Sequence, residues 1–276
     1  MRLASSLGIA WLASLVIACG IEAPAPSGES CQVLFGRPNA RTGLDSSQCQ
    51  PRCSCGGQDF EAPTFDEASL VWLDDGWVLS TPYEPIEADP YASPAPTVEP
   101  DSVCAVVAGP EPATGPRPYE LVDFATESAA RDAGAVPTHF GRCGVCSTLA
   151  NLAVYIREED LTDPVRACGL SAKDRAEHLD CLEALGFDRP CADIWYWNTL
   201  HTKSVCLEPC LAALGAPYHD ETGALNECLA CDERESGDVF KALAGRTRRN
   251  SGLANAMCRP CSEVRPLAHD YPRSGS

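Results

Sequence analysis

The sequence predicts an α+β fold: a small sheet followed by a disulfide-rich helical bundle, with a small cysteine-rich N-terminal module. Three observations carry that expectation. Residues 103–107, 119–124 and 136–140 are short runs with strand composition. After Cys143 the apolar residues change to the 3-and-4 spacing of a helix with one buried face. The chain of 276 residues holds 17 cysteines, and setting Cys19 aside leaves an even set suited to a disulfide framework.

Taken in order, residues 1–18 carry one positive charge at Arg2, an apolar core over 7–17 and the small residue Ala18 before a processing point, the order of an export signal. That core is shorter than the roughly 20 residues a bilayer span requires. The run Val16-Ile17-Ala18-Cys19 resembles the lipobox of bacterial lipoproteins. The resemblance implies cleavage before Cys19, acylation of that cysteine with chains such as palmitate, and a membrane lipid anchor in the cell envelope. Gly20, where aspartate would retain a lipoprotein in the inner membrane, points to the outer membrane. Residues 19–30, with Pro24, Pro26, Ser27 and Gly28, read as a flexible tether.

Residues 31–80 form the expected N-terminal module, with Cys31, Cys49, Cys53 and Cys55 and a short helix over 65–73 started by the Thr64-x-x-Glu67 pattern. Four cysteines allow three pairings, and the sequence does not choose among them. A proline-rich linker follows over 81–101, within a stretch, 81–118, that holds ten prolines. The domain over 102–276 then carries twelve cysteines, so four and twelve suggest two separately closed modules. In that domain a helix over 127–132 is capped by Thr126 and stopped near Gly134. Leu149, Leu152, Ala153 and Ile156 define the next helix. Ser171 begins another, with Leu179, Leu182 and Leu185 inward and Gly186 as its end, and a third covers 191–214 before Gly215.

The net charge of −18, from 21 basic and 39 acidic side chains, argues against nucleic acid and anionic lipid as partners. Within that acidic chain, Cys143-Gly144-Val145-Cys146 stands after a strand and before a helix. Amides at the helix start and Arg142 would favour a thiolate at Cys143. The motif resembles the active site of thioredoxin-type oxidoreductases, which implies Cys143 as attacking and Cys146 as resolving thiol. Cys143 lies 19 positions after Phe124, a longer connection than that family uses. His139, four residues earlier, is placed for Cys-His chemistry if the loop folds back.

Cys228-x-x-Cys231 and Cys258-x-x-Cys261 have the spacing of a tetrahedral zinc site, although an oxidising compartment favours disulfides. Arg246, Arg248 and Arg249 form the one basic cluster. They suit forked hydrogen bonds to an anionic small molecule, or local pairing with Asp232, Glu233 and Glu235. Trp195 and Trp197 on a helix offer ring surface to a peptide or glycan, or to the core. The reading that follows is a lipid-anchored, disulfide-stabilised binding or structural module without a cofactor. The alternatives are a thiol-disulfide oxidoreductase at Cys143 and Cys146 and a zinc protein.

Overall fold

The computed structural model describes residues 32–55, 58–97 and 102–272. The export segment, the lipobox at Cys19, the tether and Cys31 lie outside the described residues. The described residues begin with two small two-stranded sheets. Strand β1 (Leu34–Phe35) pairs in parallel with β2 (Cys49–Gln50), and β3 (Arg52–Cys55) pairs antiparallel with β4 (Gln58–Glu61). Helix α1 (Glu67–Asp75) starts two residues later than the Thr64 pattern suggests, because the Asp66 carboxylate accepts the Ser69 amide at 2.8 Å. Strand β5 (Trp77–Leu79) follows directly.

The main sheet adds β6 (Val103–Ala108), β7 (Arg117–Phe124) and β8 (Val136–Phe140), in the order β5-β7-β6-β8. Strand β6 is antiparallel to both neighbours, and its register on β7 runs from Val103↔Phe124 to Ala108↔Tyr119. The β6–β8 register shifts between Cys104 and Ala105, opposite His139 and Pro137. Proline has no N–H for a ladder, so Pro137 suits an edge strand with an irregularity at that point. Helix α2 (Glu127–Asp132) joins β7 to β8, with Thr126 accepting from the Ala129 amide as its cap. These three strands and α2 lie where the sequence places them. Strand β5 was not foreseen, and it takes residues from before the proline-rich stretch into the main sheet.

Seven further helices make up the rest: α3 (Leu149–Arg157), α4 (Thr162–Ser171), α5 (Arg175–Ala184), α6 (Arg189–Val205), α7 (Leu207–Ala212), α8 (Glu227–Glu235) and α9 (Gly237–Ala244). Two expected boundaries change. Ser171 closes α4, its hydroxyl donating back to the Ala167 carbonyl at 2.8 Å, and α5 starts only where Asp174 caps the Glu177 amide. The single helix expected over 191–214 divides at Cys206, whose φ of −118° and ψ of 16° leave helical geometry. The chief core lies between sheet and helices, where Trp77, Val106 and Tyr119 join Leu149, Leu152, Leu179, Leu182 and Ile194.

Seven disulfides connect described cysteines. The expected closure of two separate cysteine sets is overturned: Cys49 bonds Cys258, and Cys53 bonds Cys261. The N-terminal strands are thereby fastened to the C-terminal segment, where Phe35 and Arg259 also exchange backbone hydrogen bonds at 2.7 and 2.9 Å. The proline-rich stretch wraps α6. Ile86 donates its amide to Asp193 and accepts from Arg175 and from the Trp197 indole, and the Tyr91 ring stacks on His201 at 4.2 Å.

Candidate functional site

The Cys-Gly-x-Cys motif serves the framework. Cys143 bonds Cys104 on β6, and Cys146 bonds Cys191 at the start of α6, so the two sulfurs expected to exchange belong to separate bridges. The glycine has a packing reason. The Val145 and Cys146 amides donate to the Leu243 and Ala244 carbonyls at the end of α9, both at 2.9 Å. A Cβ on Gly144 would stand 2.3 Å from the Leu243 oxygen. His139 does not turn to Cys143. Its Nε2 lies 2.6 Å from Ser147 Oγ, and its Nδ1 lies 3.0 Å from the Phe140 carbonyl, in a fully buried pair. Burial, aided by Arg246, holds the His139 imidazole well below its ordinary pKa, so it is neutral.

The two late Cys-x-x-Cys pairs are oxidised as well: Cys228 to Cys210, Cys231 to Cys206, Cys258 to Cys49 and Cys261 to Cys53. A zinc site needs thiolates, and sulfurs in these bridges do not supply them. Among the described residues no group of three or more His, Cys, Asp or Glu side chains is arranged to hold a metal ion.

The arginine cluster faces inward. Arg246 is wholly buried and donates to the carbonyls of Cys146, Thr138 and Ser147 at 2.9–3.1 Å and to Thr138 Oγ1 at 2.6 Å. Arg248 donates to the Tyr155 carbonyl at 2.6 Å and to that of Glu158, and burial pushes its pKa down to about 10. Arg249 pairs with Glu233 and with Glu263, the local pairing that the acidic run near it suggests. Burial raises the Glu233 carboxyl, but Arg259 and Arg249 outweigh that effect and leave its pKa lowered. These guanidiniums organise backbone and are not arranged as an open anion grip. Trp197 is likewise engaged, with its indole N–H on the Ile86 carbonyl at 2.8 Å and the Arg175 guanidinium 5.1 Å from its ring.

Trp195 is placed differently. It packs edge-on against Phe240 at 4.7 Å and forms part of the wall of an apolar cleft of about 320 Å³. Val165 and Gly169 of α4, Thr199 of α6, Leu211 of α7, Leu229 of α8 and Phe240 of α9 belong to that wall, together with charged residues such as Arg166, Lys203 and Glu233. Tyr155 of α3 lines it as well. The Tyr155 hydroxyl and Trp195 indole N–H are buried without a hydrogen bond of ordinary geometry, near enough for the indole to favour the ionised phenol. Burial dominates there and pushes the Tyr155 pKa up to about 12. At one side the Asp232 carboxyl accepts from Thr202 and from Asn198. Burial raises that carboxyl's pKa against the lowering effect of the Thr202 hydrogen bond.

Leucines rim the opening: Leu170 is 69 % exposed, Leu207 47 %, and Leu211 and Leu214 56 % each. Leu207, Leu211 and Leu214 follow i, i+4, i+7 spacing, a stripe visible in the sequence but assigned there only to a helix. Tyr155, Leu229 and Phe240 carry no such signal, because only the packing of separate helices brings them together. The cleft's volume falls at the lower end of small-molecule pockets, roughly 300–1,000 Å³, and the surface it exposes is mostly apolar, although charged side chains such as Glu159, Asp160 and Lys241 border it.

Residues 175–266, one third of the chain, match a family of unknown function, DUF8771. No curated protein and no solved structure matches the chain. The matched segment contains α5 to α9 and the inward-facing arginines, and it supplies most of the cleft wall. Tyr155 and α4 come from before it.

Proposed function

We propose that the protein is an extracytoplasmic binding module whose ligand is an apolar small molecule, and that acylated Cys19 holds it on the cell envelope. One observation carries the ligand assignment: a cleft with a mostly apolar exposed surface opens between α3, α4 and α6 to α9 under a rim of exposed leucines. Folding normally buries such surface, and a contiguous exposed patch marks a binding site more often than scattered residues do. The seven disulfides support an oxidising compartment, since such bonds rarely persist in a reducing cytosol. Lipid anchoring and outer-membrane placement rest on the lipobox resemblance and on Gly20.

The test is a titration of the purified, oxidised protein with 1-aminoanthracene, a neutral apolar fluorophore. Saturable one-to-one binding is expected. The double variant Leu170→Glu, Leu211→Glu places charges on two exposed rim positions and should weaken binding at least tenfold with an unchanged circular dichroism spectrum. Non-saturating binding, or equal binding by the variant, contradicts the assignment.

A further inference from the structure

The leucine rim lies beside the point at which the chain arrives from its N-terminal end. Phe35 exchanges backbone hydrogen bonds with Arg259, and the Arg37 amide donates to Asn255, both of which line the cleft. Arg37 Nη1 pairs with Glu159, another lining residue, at 2.9 Å. Arg41 bonds Asp163 of α4 at 2.8 Å and the Gly215 carbonyl just after Leu214 at 3.2 Å. The segment 35–41 is therefore stitched to α4, which carries Leu170, and to the turn after α7 beside Leu214. Between Cys19 and Gln32 lie 13 residue steps, a reach of at most roughly 45 Å. An anchor at Cys19 consequently limits how far Gln32, and the rim beside the segment that follows it, can stand from the bilayer surface.

On the reading that the cleft takes apolar ligands and Cys19 is acylated, we infer that the leucine-rimmed face docks on the bilayer of the anchoring membrane. One phospholipid acyl chain enters the cleft. A cleft of about 320 Å³ suits a single chain and not a whole lipid. Leu207 and Leu211 on the short helix α7 and Leu214 in the turn after it present an apolar edge to the lipid. A net charge of −18 disfavours an anionic surface, so the lipid is zwitterionic.

Trp195 in the cleft wall supplies the readout. The full acylated protein is bound to vesicles of phosphatidylethanolamine and phosphatidylcholine whose acyl chains carry bromine, a contact quencher of indole fluorescence. Quenching relative to unbrominated vesicles is expected, with at least half of it lost in Trp195→Phe. The double variant Leu211→Glu, Leu214→Glu should lose the same share while still floating with vesicles through its anchor. The protein begun at Gly20, without leader or acyl chains, should float weakly with these vesicles, and Leu211→Glu, Leu214→Glu in that background should abolish flotation. Quenching that Trp195→Phe leaves intact overturns the inference, as does a protein begun at Gly20 that never floats. A concentration-dependent dimer that Leu211→Glu disrupts would assign the face to self-association instead and would also overturn it. Retained 1-aminoanthracene binding in any of these cases leaves the apolar-ligand reading standing, whereas its loss removes both.

Discussion

Arg246 shows how much of this protein's order depends on a single side chain. Its guanidinium is wholly buried and meets neutral acceptors from β8 and from the Cys143 to Cys146 loop. Burial lowers its pKa, while neighbouring phenols such as Tyr271 work in the other direction. Removing the fork leaves buried carbonyls without donors and opens a void. Arg246→Ala should therefore cost roughly 3–5 kcal/mol in a denaturant titration at neutral pH, an exceptional single-site effect. Arg246→Lys should recover only part of it, because one ammonium cannot reach every acceptor of a planar fork. A loss below about 1 kcal/mol would contradict this account of the residue.

The histidines set the acid limit. Burial lowers the pKa of His139, His178, His219 and His269, and for His269 it brings the value from 6.5 to about 4, with Arg246 adding to the shift. A folded-state pKa below the unfolded value means that the unfolded chain takes up protons first. Stability from these groups is complete above pH 6.5 and is lost as pH falls toward 4. For His269 the loss amounts to about 3 kcal/mol. Thermal midpoints measured with disulfides intact should fall between pH 7 and 5, before most carboxylates protonate. His269→Gln should flatten that slope. A midpoint constant over this range would rule the explanation out.

At the scale of elements, the cysteines act in pairs of pairs. Cys49 and Cys53 are fastened to Cys258 and Cys261, so each bridge spans more than 200 residues, but the second closes only a small ring once the first exists. On the loop-entropy account a span of that size contributes about 5 kcal/mol, while the second bridge adds much less. Replacing Cys49 and Cys258 by Ser should shift the thermal midpoint little. Replacing all four should lower it by well over 10 °C and release the N-terminal strands to protease. A two-cysteine effect about half that of the four-cysteine variant would show that the bridges act independently and would contradict this account. The same doubling joins α7 and the junction residue Cys206 before it to α8, through Cys206–Cys231 and Cys210–Cys228.

Local elements were readable where local chemistry decides them. Strands β6, β7 and β8, helix α2 with its Thr126 cap, and the buried face of α3 follow from residue pattern alone. Ser171 misled because serine serves helix ends as well as starts, and Asp174 three residues later is the stronger cap. Disulfide partners were not readable, since pairing Cys49 with Cys258 depends on tertiary approach across most of the chain.

For the whole molecule, composition sorted the fold better than the site. An even cysteine set and the switch from strand to helix patterning gave the α+β architecture. The residues that looked chemically active, Cys143, Cys146, Arg246 and Arg248, are the ones most deeply committed to holding it together. A buried arginine and a ligand-gripping arginine look alike in sequence, because only packing shows which acceptors they meet. The cleft, by contrast, joins apolar and charged residues from six helices, with the exposed leucines Leu207, Leu211 and Leu214 as its sequence trace. Its walls are fixed by bridges: Cys210–Cys228 and Cys206–Cys231 hold α7 on α8, and Cys168–Cys181 holds α4 on α5. On the reading that the cleft binds a ligand, oxidation and binding are coupled through this geometry.

The most direct measurement is photolabelling of the oxidised protein with an apolar dodecyl diazirine probe, followed by peptide mapping. Label concentrated on the segments holding Val165, Trp195, Leu211 and Phe240, and suppressed by excess 1-aminoanthracene, is the predicted result. Label spread over the surface, or gathered away from these helices, would contradict the central claim that the cleft is the binding site.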